Sequence, residues 1–266
     1  MEPHPDLDNS SARKAFGKLL SIMEELREKC PWDQKQTMES LRHLTIEETF
    51  ELSEAILASN TEDIKKELGD LLLHIVFYAR IASEQCSFTI TQVIQALCEK
   101  LTYRHPHIYG QEKAEDVQAV KRNWEKLKLK EKGNKSVLGG VPHTLPNLIK
   151  AMRIQEKASM IGFDWKKKEE VGKKVQEKMK KLVHQNTPDS RKLEDAFGEV
   201  LFTLVHYAKF IDVNAESALE KTNKKFIQSF QHIEQQIAKQ GKQITQLSTE
   251  ELMGYWKEAK QQTVPD

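Results

Sequence analysis

One stretch of this chain occurs twice. Glu67-Leu-Gly-Asp-Leu-Leu-Leu-His-Ile-Val-Phe-Tyr-Ala-Arg80 returns, 129 residues on (67 to 196), as Ala196-Phe-Gly-Glu-Val-Leu-Phe-Thr-Leu-Val-His-Tyr-Ala-Lys209. Trp32-Asp33 has a counterpart in Asp164-Trp165, and Trp124-x-x-x-Lys128 in Trp256-x-x-x-Lys260, at an offset of 132. Landmarks that recur in one order mark a duplication, so any fold for the first half must also serve the second. Within the repeat, Leu68, Leu71, Leu72, Ile75, Val76 and Ala79 fall at helical spacing and form a wide apolar stripe. The fold expected is all-α, built from two similar helical bundles.

The punctuation agrees. Phe16, Leu19, Leu20, Met23 and Leu26 predict a helix over 16–29 that stops at Cys30-Pro31, where proline forbids continuation. A second helix is expected near 38–58, ended by Ser59-Asn60. Thr61 with Glu62 and Asp63 reads as the cap of a third, and further helices are expected near 89–103 and 114–131. Gly, Asn, Ser and Pro then crowd residues 132–146, the best boundary in the chain. The domains read from this are 1–131, a linker at 132–146, and 147–266.

Five carboxylates give the first repeat its chemistry. Glu47, Glu48 and Glu51 share one helix at spacing i, i+1, i+4, and Glu67 and Asp70 share the next at i, i+3. A short turn would bring the two faces together as a cup of negative oxygens, which repel one another unless cations fill it. A solvated acidic face is the commoner outcome in a chain that is 30% charged. Two features turn the reading toward metal: the Glu67/Asp70 pair borders an apolar stripe, and Gly69, costing roughly 1 kcal/mol in a helix interior, implies a closely approaching neighbour. Oxygen ligands without Cys or His favour Mg²⁺, with Mn²⁺ as substitute.

Glu47-Glu48-x-x-Glu51 followed by Glu67-x-x-Asp70 resembles the signature of the MazG nucleoside triphosphate pyrophosphohydrolases, in the all-α NTP pyrophosphatase superfamily. Cys30-Pro31-Trp32-Asp33, Arg104-His105-Pro106-His107, Leu145-Pro146 and Gly162-Phe163-Asp164-Trp165 extend the likeness over nearly the whole chain. The resemblance implies two tandem four-helix domains in an intertwined homodimer, and Mg²⁺-dependent hydrolysis of NTP or dNTP to the monophosphate and pyrophosphate. It implies broad base tolerance and a role in clearing unwanted nucleotides. It also assigns Glu48, Glu51, Glu67 and Asp70 as metal ligands, with Glu47 and Glu48 as the catalytic carboxylates; whether Glu47 completes the metal shell or orients the water stays open. The chemistry is coherent, since metal ions neutralise a polyphosphate and acidify an attacking water. The chain has no glycine-rich phosphate loop; Lys100 and Arg104, at i and i+4, read on their own as a solvated basic face, and their place in the family-like segment makes them candidates for phosphate contact. Trp124 could stack on a base with Lys128 one turn on reaching a phosphate, although such a Trp is more often a packing anchor. His105 and His107, separated by Pro106, read as structural.

The second repeat has lost the set. Setting Glu177 on Glu47 places Lys178 opposite Glu48 and Lys181 opposite Glu51, while Ala196 and Glu199 stand at the positions of Glu67 and Asp70. Lysine ammonium groups repel a metal ion, so a scaffold or dimerisation role is expected there. Two readings compete with the enzyme: a nucleotide-binding regulatory protein with little turnover, and a di-iron carboxylate protein, disfavoured because no Glu-x-x-His accompanies the carboxylates. The net charge of +1 gives no argument for nucleic acid or membrane as partner. Three cysteines without CxxC spacing and no signal-like apolar run at the start point to a cytoplasmic protein.

Overall fold

The computed structural model describes residues 9–111, 116, 119–120, 123–124, 127–128, 136–184 and 189–263, and these form helices and turns with no strand among them. The chain divides into two compact units, Met1–Lys113 and Ala114–Asp266. That division precedes the Gly/Pro-rich stretch at 132–146, and the helix expected over 114–131 lies mostly outside the described residues. Its described positions 119–120, 123–124 and 127–128 are helical.

In the first unit α1 (Asn9–Lys29) leads through a single 3₁₀ turn at Asp33–Lys35 to α2 (Met38–Leu57), α3 (Thr61–Glu84), α4 (Ile90–Arg104) and the one-turn α5 (Pro106–Tyr109). Helix α2 opens with a reciprocal cap: Thr37 Oγ1 accepts from the Ser40 amide at 3.1 Å, and Ser40 Oγ accepts from the Thr37 amide at 2.9 Å. It ends where Ser59 takes a left-handed φ of 55°. The Asn60 amide then donates back to the Ala55 carbonyl at 3.1 Å. Asn60, not Thr61, caps α3: its Oδ1 accepts from the amides of Glu62 and Asp63. Thr61 is the first helical residue, because the shorter Asx side chain already fills the capping position.

So tight a turn lays α2 and α3 side by side, and α1 packs on α3. Met23, Leu41, Val76, Phe77 and Ile81 are the buried centre, with Phe16, Leu20, Leu44 and Leu73 around it. Gly69 corrects an expectation: no atom lies within 4 Å of where its Cβ would stand. It sits on α3 between Leu68 and Leu72, and among the described residues of this unit no helix approaches it. Helix α4 buries none of its residues.

The second unit repeats the order with α6 (Asn147–Met160), α7 (Lys168–Val183), α8 (Ser190–Phe210) and α9 (Ala215–Lys239), then a 3₁₀ turn at Ile244–Gln246 and α10 (Thr249–Thr263). Helices α7 and α8 pair as α2 and α3 do, and α6 packs on α8. Ile233, Ile237 and Ala259 join α9 to α10, and Trp256 lies against Phe226 with ring centres 4.8 Å apart.

Candidate metal centre

The hairpin of α2 and α3 sets the carboxylates at one level. Glu48 lies nine residues before the end of α2 and Glu67 six after the start of α3, each about two turns from the connecting turn. One oxygen each from Glu48, Glu67 and Asp70 fall within 4.8 Å of one another. Glu67 is 4% exposed although it carries a carboxylate. Its Oε1 accepts from Lys66 Nζ at 2.9 Å, while its Oε2 is buried with no hydrogen-bond partner. Burial holds the Glu48 carboxyl above its ordinary range, and the charge of Asp70, the facing carboxyl of Glu67 and the charge of Glu51 push the same way.

Three crowded carboxylate oxygens and one unpartnered buried acceptor are what a hard cation would satisfy. The donor set contains no nitrogen or sulfur, which fits Mg²⁺ or Mn²⁺ and disfavours zinc. Glu48, Glu67 and Asp70 would hold the ion. Glu51, exposed one turn further along α2, stands outside the closest group yet within range to act on the charge of Glu48. Glu47 is exposed beside it.

The cationic candidates are dispersed. Lys100 is exposed on α4 and Arg104 is partly buried in the last turn of that helix. Trp124 and Lys128 belong to the second unit, where the Lys128 ammonium sits over the Trp124 ring, 5.6 Å from its centre. His105 keeps a structural part, its Nδ1 2.6 Å from the Leu101 carbonyl, with the His107 ring tilted against it.

Sequence reasoning overlooked two neighbours of the cup. Lys66 supplies the charge that now meets Glu67, and being well exposed it can swing away from an arriving ion. His74, one turn past Asp70, is 6% exposed with Nδ1 unpartnered. Burial pulls its pKa down and the Asp70 charge opposes that. Its spacing of four from Asp70 was the available signal.

The second unit answers the lost ligands with an ion pair: Lys178 Nζ stands 2.7 Å from Glu199 Oε2. Glu199 is held below its usual range by that hydrogen bond and by the charges of Lys178 and Lys181. A tethered cation thus occupies the level at which α2 and α3 gather carboxylates.

Fold and site define an all-α protein with an oxygen-only carboxylate centre in the hairpin of its first repeat. The family described as MazG nucleotide pyrophosphohydrolase domain matches residues 36–109, a span that includes all five carboxylates, Lys100 and Arg104. A Thermotoga maritima protein named nucleoside triphosphate pyrophosphohydrolase/pyrophosphatase MazG is 45% identical over 249 residues, covering 92% of this chain and 95% of that one. The Escherichia coli K12 nucleoside triphosphate pyrophosphohydrolase is 36% identical over 256 residues, 93% of this chain and 97% of its own. YabN of Bacillus subtilis is 40% identical over 252 residues, 92% of this chain but 52% of that protein. The chain belongs to the MazG nucleotide pyrophosphohydrolase family.

Proposed function

We propose that this protein hydrolyses nucleoside triphosphates between the α and β phosphates, giving the monophosphate and pyrophosphate, with broad base tolerance and a part in clearing unwanted nucleotides. The observation that carries the reading is the meeting of Glu48, Glu67 and Asp70 from two helices around a buried, unpartnered carboxylate oxygen. Glu48, Glu51, Glu67 and Asp70 hold Mg²⁺, which when bound supplies charge neutralisation for the triphosphate and a more acidic water. Glu47 and Glu48 are the catalytic carboxylates of this reading, Glu47 being placed either to complete the shell that would hold the ion or to orient the attacking water. Lys100 and Arg104 contact the phosphates, and Trp124 with Lys128 serves the base end. The enzyme works in the cytoplasm, in keeping with free thiols at Cys30, Cys86 and Cys98. Among the described residues no helix is long and apolar enough to cross a membrane.

The working form in this reading is an intertwined homodimer, first domain with first and second with second. Support comes from apolar side chains left open on the repeated helix: Leu68, Leu72 and Ile75 on α3 are 53%, 39% and 49% exposed, and Phe197, Leu201 and Leu204 on α8 are 54%, 42% and 39% exposed. Gly69 and Gly198 lie open at matching positions of those faces, leaving room for a partner helix.

The test is pyrophosphate release from mixed NTPs with Mg²⁺, comparing the intact chain with Glu67→Ala, Glu48→Gln and Glu199→Ala. Activity is expected to vanish in the first two variants and to persist in the third. The reverse pattern places the reaction in the second repeat, and nucleotide binding without any pyrophosphate supports a regulatory binder instead.

A further inference from the structure

The carboxylate centre of the first repeat meets a cation that is the chain's own. Lys66 Nζ lies 2.9 Å from Glu67 Oε1, and the two ends of that pair differ sharply: the Glu67 side chain is 6% exposed, the Lys66 side chain 65%. An ion pair with one arm in water holds weakly, because solvent screens it and ordering a long flexible stem costs entropy. One ammonium also leaves the centre negative. Oxygens of Glu48, Glu67 and Asp70 lie within 4.8 Å of one another, and Glu67 Oε2 is buried with no partner among the described residues. The bond to Glu67 and its charge, then the charges of Asp70 and Glu51, hold the Lys66 pKa above its ordinary value.

The second repeat supplies the contrast. At the offset of 129, Asp195 stands where the first repeat has Lys66, and Ala196 where it has Glu67. The cation there is Lys178, which comes from α7 to meet Glu199 on α8 and keeps its side chain only 33% exposed. Lys66 instead lies next to its partner on the same helix and mostly in water, so it can leave Glu67 without unpacking anything. A divalent ion arriving at Glu67 repels the ammonium and gives it cause to leave. The ammonium need not travel far. Adjacent oxygens in one Mg²⁺ shell are about 3 Å apart, from bonds of ~2.1 Å at right angles, so a donor that reaches a ligand carboxylate also reaches a phosphate oxygen on the same ion. Lysine suits such an exchange, being a compact charge on a flexible stem with three rotatable donors.

We propose that Lys66 changes partners: it holds Glu67 until a metal ion arrives, then moves to the polyphosphate of a nucleoside triphosphate bound to that ion. The inference rests on the hydrolytic reading, since it requires ion and triphosphate to meet at Glu48, Glu67 and Asp70. It gives the centre a regulation of its own. Metal alone binds against the lysine, metal with triphosphate binds with its help, and by linkage each ligand favours the other. The centre is therefore filled by the two together more readily than by the ion alone.

The experiment is a pair of calorimetric titrations of the full chain, first with Mg²⁺ alone and then with α,β-methylene-ATP in saturating Mg²⁺, an analogue whose α–β bridge resists hydrolysis. Lys66→Met should shift the two in opposite directions. Mg²⁺ alone should bind roughly fivefold tighter, because the competing ammonium is gone, and the analogue about tenfold weaker, because its phosphate contact is gone. Lys66→Arg, which keeps the charge and the donors, should bring both back towards the intact chain. Lys65→Met removes the same charge one residue earlier, from a lysine paired with Glu62, and should move neither titration by more than about twofold. The proposal is overturned if Lys66→Met moves both titrations the same way or moves neither, or if Lys65→Met reproduces its effects, which would make them a matter of general charge. Failure of the hydrolytic reading looks different: the intact chain then gives no Mg²⁺ heat at all, and the proposal falls with it.

Discussion

Glu67 concentrates the conflict in the first repeat. Its side chain is 6% exposed, one oxygen meets Lys66 and the other meets nothing, and Glu48 and Asp70 bring further negative oxygens within 4.8 Å. A buried unpartnered acceptor costs about 1–3 kcal/mol, so the site is a liability until a cation arrives. Glu67→Gln should therefore act with opposite signs in two conditions. In EDTA it should stabilise the chain by about 1 kcal/mol, raising the melting midpoint by a few degrees, because a buried charge is removed. In excess Mg²⁺ it should lose that advantage and lower pyrophosphate release by about a hundredfold or more. Melting curves with and without EDTA, set beside turnover, check both halves. Destabilisation of equal size in the two conditions would mean that no ion is bound there.

At the scale of elements, the turn from Ile161 to Trp165 is pinned to α8 through one carboxylate. Burial works against ionising Asp164, yet hydrogen bonds from Lys209, Ser159 and His206, with the Lys209 charge, together bring its pKa from 3.8 to about 2. A depressed carboxylate stabilises the fold above its unfolded value and loses that contribution as the pH falls through the folded one, here from about 4 towards about 2. The contribution at neutral pH is about 2.5 kcal/mol at most, since one pKa unit corresponds to ~1.4 kcal/mol. Calorimetric melting of the second unit should therefore drop steeply across that acid window. Asp164→Asn should melt lower at pH 7 and show a flatter acid profile; an unchanged profile would assign the acid sensitivity elsewhere. Such a tie was not legible in advance, because Asp164 lies more than forty residues from both His206 and Lys209 and no periodicity joins it to them. What periodicity and caps do encode came through: the expected helices near 38–58 and 89–103 match α2 and α4 closely, since apolar spacing and capping are local. The misreadings were of environment. Gly69 predicts a close approach yet faces open space, and Thr61 reads as the cap that Asn60 in fact provides. The meeting of Glu48, Glu67 and Asp70 was legible because two helix faces and one short turn leave it little freedom, whereas Lys66 enters only through its contact with Glu67 and His74 only through burial.

Across the whole molecule, two copies of one design have parted in charge. The first crowds carboxylates and leaves an acceptor bare; the second sets Lys178 on Glu199 and so carries its own cation. Both leave apolar helix faces open, which gives a prediction about assembly: Leu72→Arg together with Leu201→Arg, on matching side chains 39% and 42% exposed, should convert a dimer to monomer in sedimentation with little loss of helix, and a mass unchanged by the double substitution would rule out those faces. The parting of charge gives a second. Mg²⁺ at one hundred times its dissociation constant stabilises the form that binds it by about 2.7 kcal/mol, which slows opening-limited amide exchange about a hundredfold. Only a repeat whose carboxylates lack a built-in cation can draw on that energy. Hydrogen exchange followed by mass spectrometry should therefore show Mg²⁺ protecting α2 and α3, which would share the ion, while α7 and α8 exchange at one rate with or without it. Protection of both hairpins would mean that Lys178 yields its place to metal, and protection of the second alone would reverse the assignment of the two repeats.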